Sequence, residues 1–92
     1  MPRARRGARL QEILHYVGAN VHRARVRAGL TQDRLAENAN LSVRFVQRIE
    51  QGAVHLSLEA LVTIADALGV VPDRLLRPAR PAKRLPGRPR DR

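Results

Sequence analysis

The chain has no cysteine. That excludes a disulfide framework and a thiolate metal site. It has no tryptophan, and its aromatics are Tyr16 and Phe45 alone. A surface that binds nucleic acid by stacking bases on aromatic rings, as RNA-recognition sheets and OB-folds do, is therefore poorly supplied. No apolar run approaches the roughly 20 residues that cross a bilayer, so no membrane association is expected. The first residues are basic and lack the apolar segment of a secretory signal, so a cytoplasmic protein is expected. Acidic residues are also scarce, with 8 Asp and Glu against 18 Lys and Arg, a net charge of +10. Ninety-two residues allow one small domain.

The location of the positive charge is informative. Between Leu10 and Leu76 seven arginines face seven acids, so that stretch is neutral. The two ends hold eleven basic residues against Asp91 alone and carry the whole +10. The expected organisation is a basic arm at residues 1–8, a folded domain at 9–76 and a Pro/Arg-rich tail at 77–92, with both ends disordered. Basic arms of this kind are general polyanion-binding devices.

The organising stretch is Leu30 to Gly52. Thr31 is a side-chain acceptor just before an amphipathic run that buries Leu35 and Ala36, a helix-start signal. Asn40 stands where the chain must reverse, and Asn tolerates the left-handed backbone such a turn needs. Ser42 is a second start signal and Gly52 a stop. At about 100° per residue, Phe45, Val46, Ile49 and Glu50 share one side of the second helix. Arg44, Gln47, Arg48 and Gln51 share the other, with Val43 at its edge. The first set should face inward. The second is a stripe of long polar side chains with no acid among them, of the type whose donors and acceptors match base edges in the major groove.

Upstream, Leu10, Ile13, Leu14, Val17, Val21, Ala24 and Ala28 recur on one helical face. The helix can continue through Gly18 or break there, since Gly is a poor interior residue. The apolar residues of Leu10 to Tyr16 need cover, either in a dimer contact or against the chain's own last helix. Downstream, Ser57 should cap a helix whose buried stripe is Leu58, Leu61, Val62, Ala65 and Leu68, supported by Ile64 and ended by Gly69. Pro72 suits the first position of a last short helix, and Leu75 with Leu76 should close the core.

These residues resemble the helix-turn-helix of the lambda repressor/Cro-like (XRE-type) DNA-binding family. The resemblance rests on Leu30-Thr31-Gln32, Leu35-Ala36, Leu41-Ser42, Val46, Arg48-Ile49-Glu50 and Gly52, and it extends from Val17 to Leu76. Asn40 stands where the family usually has Gly, and Val71 where a capping Ser is common. The resemblance implies an all-α, compact five-helix domain with the helix-turn-helix at helices 2 and 3. It also implies a sequence-specific regulator of transcription, most often a repressor, binding double-stranded DNA as a homodimer on a palindromic operator. In the family's mode Gln32 holds a phosphate, and Ser42, Val43, Arg44 and Arg48 read bases. Gln47 and Gln51 can add base or phosphate contacts. An ion pair between Arg25 and Glu50 is implied beneath the recognition helix. Small proteins of this family also serve as antitoxins or as controllers of restriction-modification genes, binding a partner protein such as a toxin and regulating their own operon.

Three histidines invite other readings. His15 and His22 are seven residues apart, about 10 Å along a helix, too far to share an ion. His55 can touch a phosphate from the loop after the recognition helix. No Ser/His/Asp or paired-carboxylate arrangement is recognisable, and neither an enzyme, a metal site nor a cofactor is expected. In the tail, Gly87-Arg88-Pro89-Arg90 resembles part of an AT-hook, with Pro86 in place of its first arginine.

Overall fold

Three hydroxyl side chains open three helices. Thr31 Oγ1 accepts the Arg34 amide at 3.0 Å, Ser42 Oγ the Phe45 amide at 3.1 Å and Ser57 Oγ the Ala60 amide at 3.0 Å. Each satisfies an amide that a helix start leaves without a partner. The helices are α2 (Gln32–Ala39), α3 (Val43–Glu50) and α4 (Leu58–Leu68). Ahead of them runs α1 (Arg5–Arg27), and after them comes a single 3-10 turn, Pro72–Leu76. The computed structural model describes residues 5–80, and among them there is no strand. The fold is all-α, and it is a helix-turn-helix arrangement.

Among the described residues there are four α-helices rather than five. The expected fifth is the 3-10 turn, which is only five residues long and starts at Val71 without a side-chain cap. So short a segment gains little from α-helical cooperativity, and the tighter 3-10 form is common in connectors. The arm expected at residues 1–8 also overlaps the structure, because α1 takes in Arg5 to Ala8. Arginine is a good helix former without needing cover, so the helix begins ahead of Leu10, the first large apolar residue of its face. The rest of that arm lies outside the described residues. So do residues 81–92, including the AT-hook-like Gly87-Arg88-Pro89-Arg90.

The turn between α2 and α3 uses Asn40 at φ 58°, ψ 45°. Its amide and that of Leu41 close back on Glu37 and Ala36 carbonyls at 3.2 and 2.9 Å, which is how a left-handed residue terminates a helix.

The core joins Val17 and Val21 of α1, Leu35, Ala36 and Ala39 of α2, Val46 and Ile49 of α3, four residues of α4 and Leu75. Leu35, Ile49, Ile64, Leu75, Val21 and Val46 are its fully buried large side chains, each worth about 1.5–3 kcal/mol of burial. Helix α1 packs on α3 and on the 3-10 turn, while α2 packs on α3 and α4. The α4 stripe is narrower than expected. Leu61, Ile64, Ala65 and Leu68 are buried, but Leu58 is 77% and Val62 44% exposed. Val62 is turned about 100° from Leu61, and Leu58 occupies the first residue of the helix. Leu76 is likewise 42% exposed beside buried Leu75.

Helix α1 runs unbroken through Gly18. A Cβ there would lie 2.6 Å from the Ile49 carbonyl oxygen and 2.7 Å from that of Glu50. The glycine is what lets α3's last turn lie directly on α1. Leu14 is buried and Ile13 packs on the core, so these two residues find cover within the chain, while Leu10 is 42% exposed.

Candidate nucleic-acid interface

Helix α3 divides as its angular pattern requires. Val46 and Ile49 are buried and Phe45 half-buried. Arg44, Gln47, Arg48 and Gln51 are exposed along the opposite side, and Val43 at its edge is half-buried. Ser42 is exposed at the start of the helix, with its hydroxyl accepting the Phe45 amide. Arg48 Nη2 reaches back to the Ala53 carbonyl at 3.4 Å, at the long end of hydrogen bonding. Among the described residues the side chains of Arg44, Gln47 and Gln51 make no hydrogen bond or ion pair. His55 is exposed in the loop between α3 and α4.

What sets the attitude of this helix is a polar cluster beneath its C-terminal end. Glu50 leaves α3 on the inward side, and its side chain is only 6% exposed. A buried carboxylate needs donors on both oxygens. Arg25 Nε donates to Oε2 at 2.6 Å and its Nη2 to Oε1 at 3.2 Å, a two-pronged pair. Gln32 Nε2 donates to Oε1 at 3.0 Å, and His22 Nδ1 lies 3.1 Å from the same oxygen. Arg25 Nη1 also donates to the Leu30 carbonyl at 2.8 Å, which ties in the segment before α2. One carboxylate thus joins α1, the α1–α2 connection, the first residue of α2 and the last residue of α3.

Opposed influences act on the ionisation of Glu50. Burial pushes its carboxyl up. The hydrogen bonds from Arg25, His22 and Gln32 and the charge of Arg25 outweigh burial, and the carboxyl lies below its ordinary value. It is ionised at neutral pH.

Arg25 and Glu50 are therefore brought together, and Gln32 joins them. The Gln32 amide faces Glu50 rather than open solvent, although its second N–H remains to donate elsewhere. The sequence presents His22 as a candidate for metal binding or catalysis and not as a member of this cluster. The available signal was its spacing, three residues before Arg25, which puts both on one face of α1. A second latch was also missed. Gln11 Nε2 donates to the Gly52 carbonyl at 3.2 Å, and a Cβ on Gly52 would lie 2.6 Å from the His15 ring. The N-terminal half of α1 is thereby held against the turn that ends α3. Among the described residues no group of three or more His, Asp or Glu is placed to hold a metal ion. No helix among them is long and apolar enough to cross a membrane.

The helix-turn-helix domain family matches residues 17–79. The chain belongs to that family, in its lambda repressor/Cro-like form. Solved structures with similar folds include a hypothetical transcription factor from Neisseria, at 29% identity and a TM-score of 0.71 over 75% of this chain and 79% of that one. The restriction-modification controller protein from Aeromonas hydrophila is 31% identical, with a TM-score of 0.65 over 67% of this chain and 94% of that one. The clp gene regulator from C. glutamicum is also 31% identical, with a TM-score of 0.65 over 68% of this chain and 82% of that one. No curated protein matches the chain.

Proposed function

We infer that the chain is a sequence-specific double-stranded DNA-binding regulator of transcription, without catalytic activity, that inserts α3 into the major groove. The observation that carries this reading is the acid-free face of α3 and its C-cap residue Gln51, four exposed Arg and Gln side chains on a helix fixed from below by the Glu50 cluster. The regulators among its structural relatives support it.

Ser42, Val43, Arg44 and Arg48 read bases, with Arg44 or Arg48 paired to a guanine edge and Val43 against a thymine methyl. Gln47 and Gln51 add base or phosphate contacts. The free N–H of Gln32 and the ring of His55 take phosphates, the former beside the positive end of α2. Arg25 and Glu50 touch no DNA and hold the reading helix at its angle.

Residues 9–76 form the DNA-binding unit, acting in the cytoplasm as a homodimer that places two α3 helices about one turn apart on a palindromic operator. Repression follows from occupying that operator. Residues 10–76 of that unit are neutral overall, so the basic ends supply much of the phosphate attraction. A second reading, a controller or antitoxin that binds a partner protein and regulates its own operon, is favoured by the restriction-modification controller among the relatives. Replacing Arg44 by Ala separates base reading from mere attraction. The expected result is relaxed base choice at one position, at about 1–3 kcal/mol. A uniform loss on all duplexes would make Arg44 a phosphate contact.

A further inference from the structure

The side of α1 away from α3 carries a second charged surface. Gly18, His22 and Arg25 mark the side that meets α3. At about 100° per residue, Arg23 and Arg27 lie on the opposite side, one turn or about 6 Å apart along the helix. Across from them stand Arg74 and Arg77, at the 3-10 turn. Between the two rows is a groove of about 390 Å³, within the size of small ligand sites. Its floor is apolar, from Ala24, Leu68, Val70 and Leu75, and among the described residues no acid lines it.

The walls are fixed. Asn20 Nδ2 donates to the carbonyls of Leu75 and Arg77 at 3.0 and 2.9 Å, and Arg23 Nη2 to that of Arg80 at 3.0 Å. These bonds hold the segment after α4 along α1. The cations are only lightly engaged. Arg77 meets Asp73 at 3.9 Å with both side chains exposed, and such a pair is worth little. Arg23 keeps donors beyond the one it uses. Arg27 and Arg74 are exposed.

We propose that this groove, formed by Arg23, Arg27, Arg74 and Arg77 over an apolar floor, binds an acidic segment of a partner protein. That segment carries spaced carboxylates and at least one apolar side chain. Four guanidinium groups in two rows call for several carboxylates rather than one, and Arg pairs carboxylates in two-pronged fashion. The apolar floor asks for a side chain that a nucleic-acid backbone lacks. The groove also faces away from any duplex held by α3, so partner and DNA can be bound together. This inference stands apart from the reading of α3.

Fluorescence anisotropy on the full chain at near-physiological salt tests it. The probes are a labelled peptide in which glutamate pairs alternate with leucines and a twin with every leucine replaced by serine. The leucine peptide should bind at least tenfold tighter than its twin. Arg27→Glu with Arg74→Glu should weaken it at least tenfold, and Arg27→Gln with Arg74→Gln should weaken it less. Arg44→Ala should leave it unchanged, and saturating duplex DNA should not displace it. Equal binding of the twins, or displacement by duplex, would make the groove part of a phosphate surface. Failure of the leucine peptide to bind, or indifference to both double substitutions, would overturn the proposal.

Discussion

Replacing Arg25 by Ala should be among the most damaging single changes outside the apolar core. The substitution removes both prongs at 2.6 and 3.2 Å from Glu50 and the bond to the Leu30 carbonyl. Glu50 then stays behind with its side chain 6% exposed and only His22 and Gln32 as partners. Leaving one member of such a pair buried costs about 3–5 kcal/mol, a large share of the 5–15 kcal/mol that typically stabilises a domain. Replacing both members, Arg25→Met with Glu50→Gln, should recover most of that loss, because the unpaired charge is gone.

The pH dependence gives a second readout of the same change. In the native chain the Glu50 carboxyl lies below its ordinary value, about 4.3 for glutamate. A group depressed on folding contributes stability fully above the unfolded value. That contribution is lost as pH falls through the folded value. Without Arg25, burial meets only His22 and Gln32, so the folded carboxyl moves up. If it passes the ordinary value, the folded state holds the proton longer than the unfolded one, and stability falls as pH rises from about 4.3. Urea unfolding followed by circular dichroism from acid to neutral pH measures both effects. A loss below about 1 kcal/mol, the scale of an exposed pair, with an unchanged pH slope would refute the reasoning.

Two further outcomes follow from other parts of the molecule. Gly18→Ala should destabilise by about 1–3 kcal/mol, because the new methyl meets α3 backbone oxygens at 2.6 and 2.7 Å; thermal melts that show no loss would mean the helices separate freely. Deleting residues 77–92 should lower affinity for all duplexes alike and flatten the dependence on salt, and titrations at several salt concentrations measure it; loss of preference for one operator would instead make the tail a reader of bases.

Local chemistry explains why the helix-turn-helix is legible in the sequence. Thr31, Ser42 and Ser57 act within three residues of themselves, and Asn40 needs only its own backbone to turn the chain. The two sides of α3 follow from helical period alone. The Arg25–Glu50 pair, by contrast, is implied by the family resemblance and not by any local pattern. The remainder depends on contacts distant in sequence. His22 and Gln32 reach Glu50 across 28 and 18 residues; the spacing of His22 puts it on one face of α1 with Arg25, but nothing local shows that Glu50 and Gln32 meet them there. Gly18 looked like a weak point because its value lies in how closely α3 approaches. Leu58 and Val62 fit a helical stripe by type, but whether a neighbour covers them is decided by the packing of the whole domain. The 3-10 turn differs from the expected helix because five residues between Val71 and Arg77 hold only one turn.

The central claim is that α3 reads a DNA sequence, and selection of bound sites from random duplex DNA at near-physiological salt tests it most directly. The expected result is one recovered inverted repeat with half-sites about one helical turn apart. Recovery of no motif, with binding that vanishes as salt rises, would contradict the claim and leave only a salt-sensitive attraction from the basic ends.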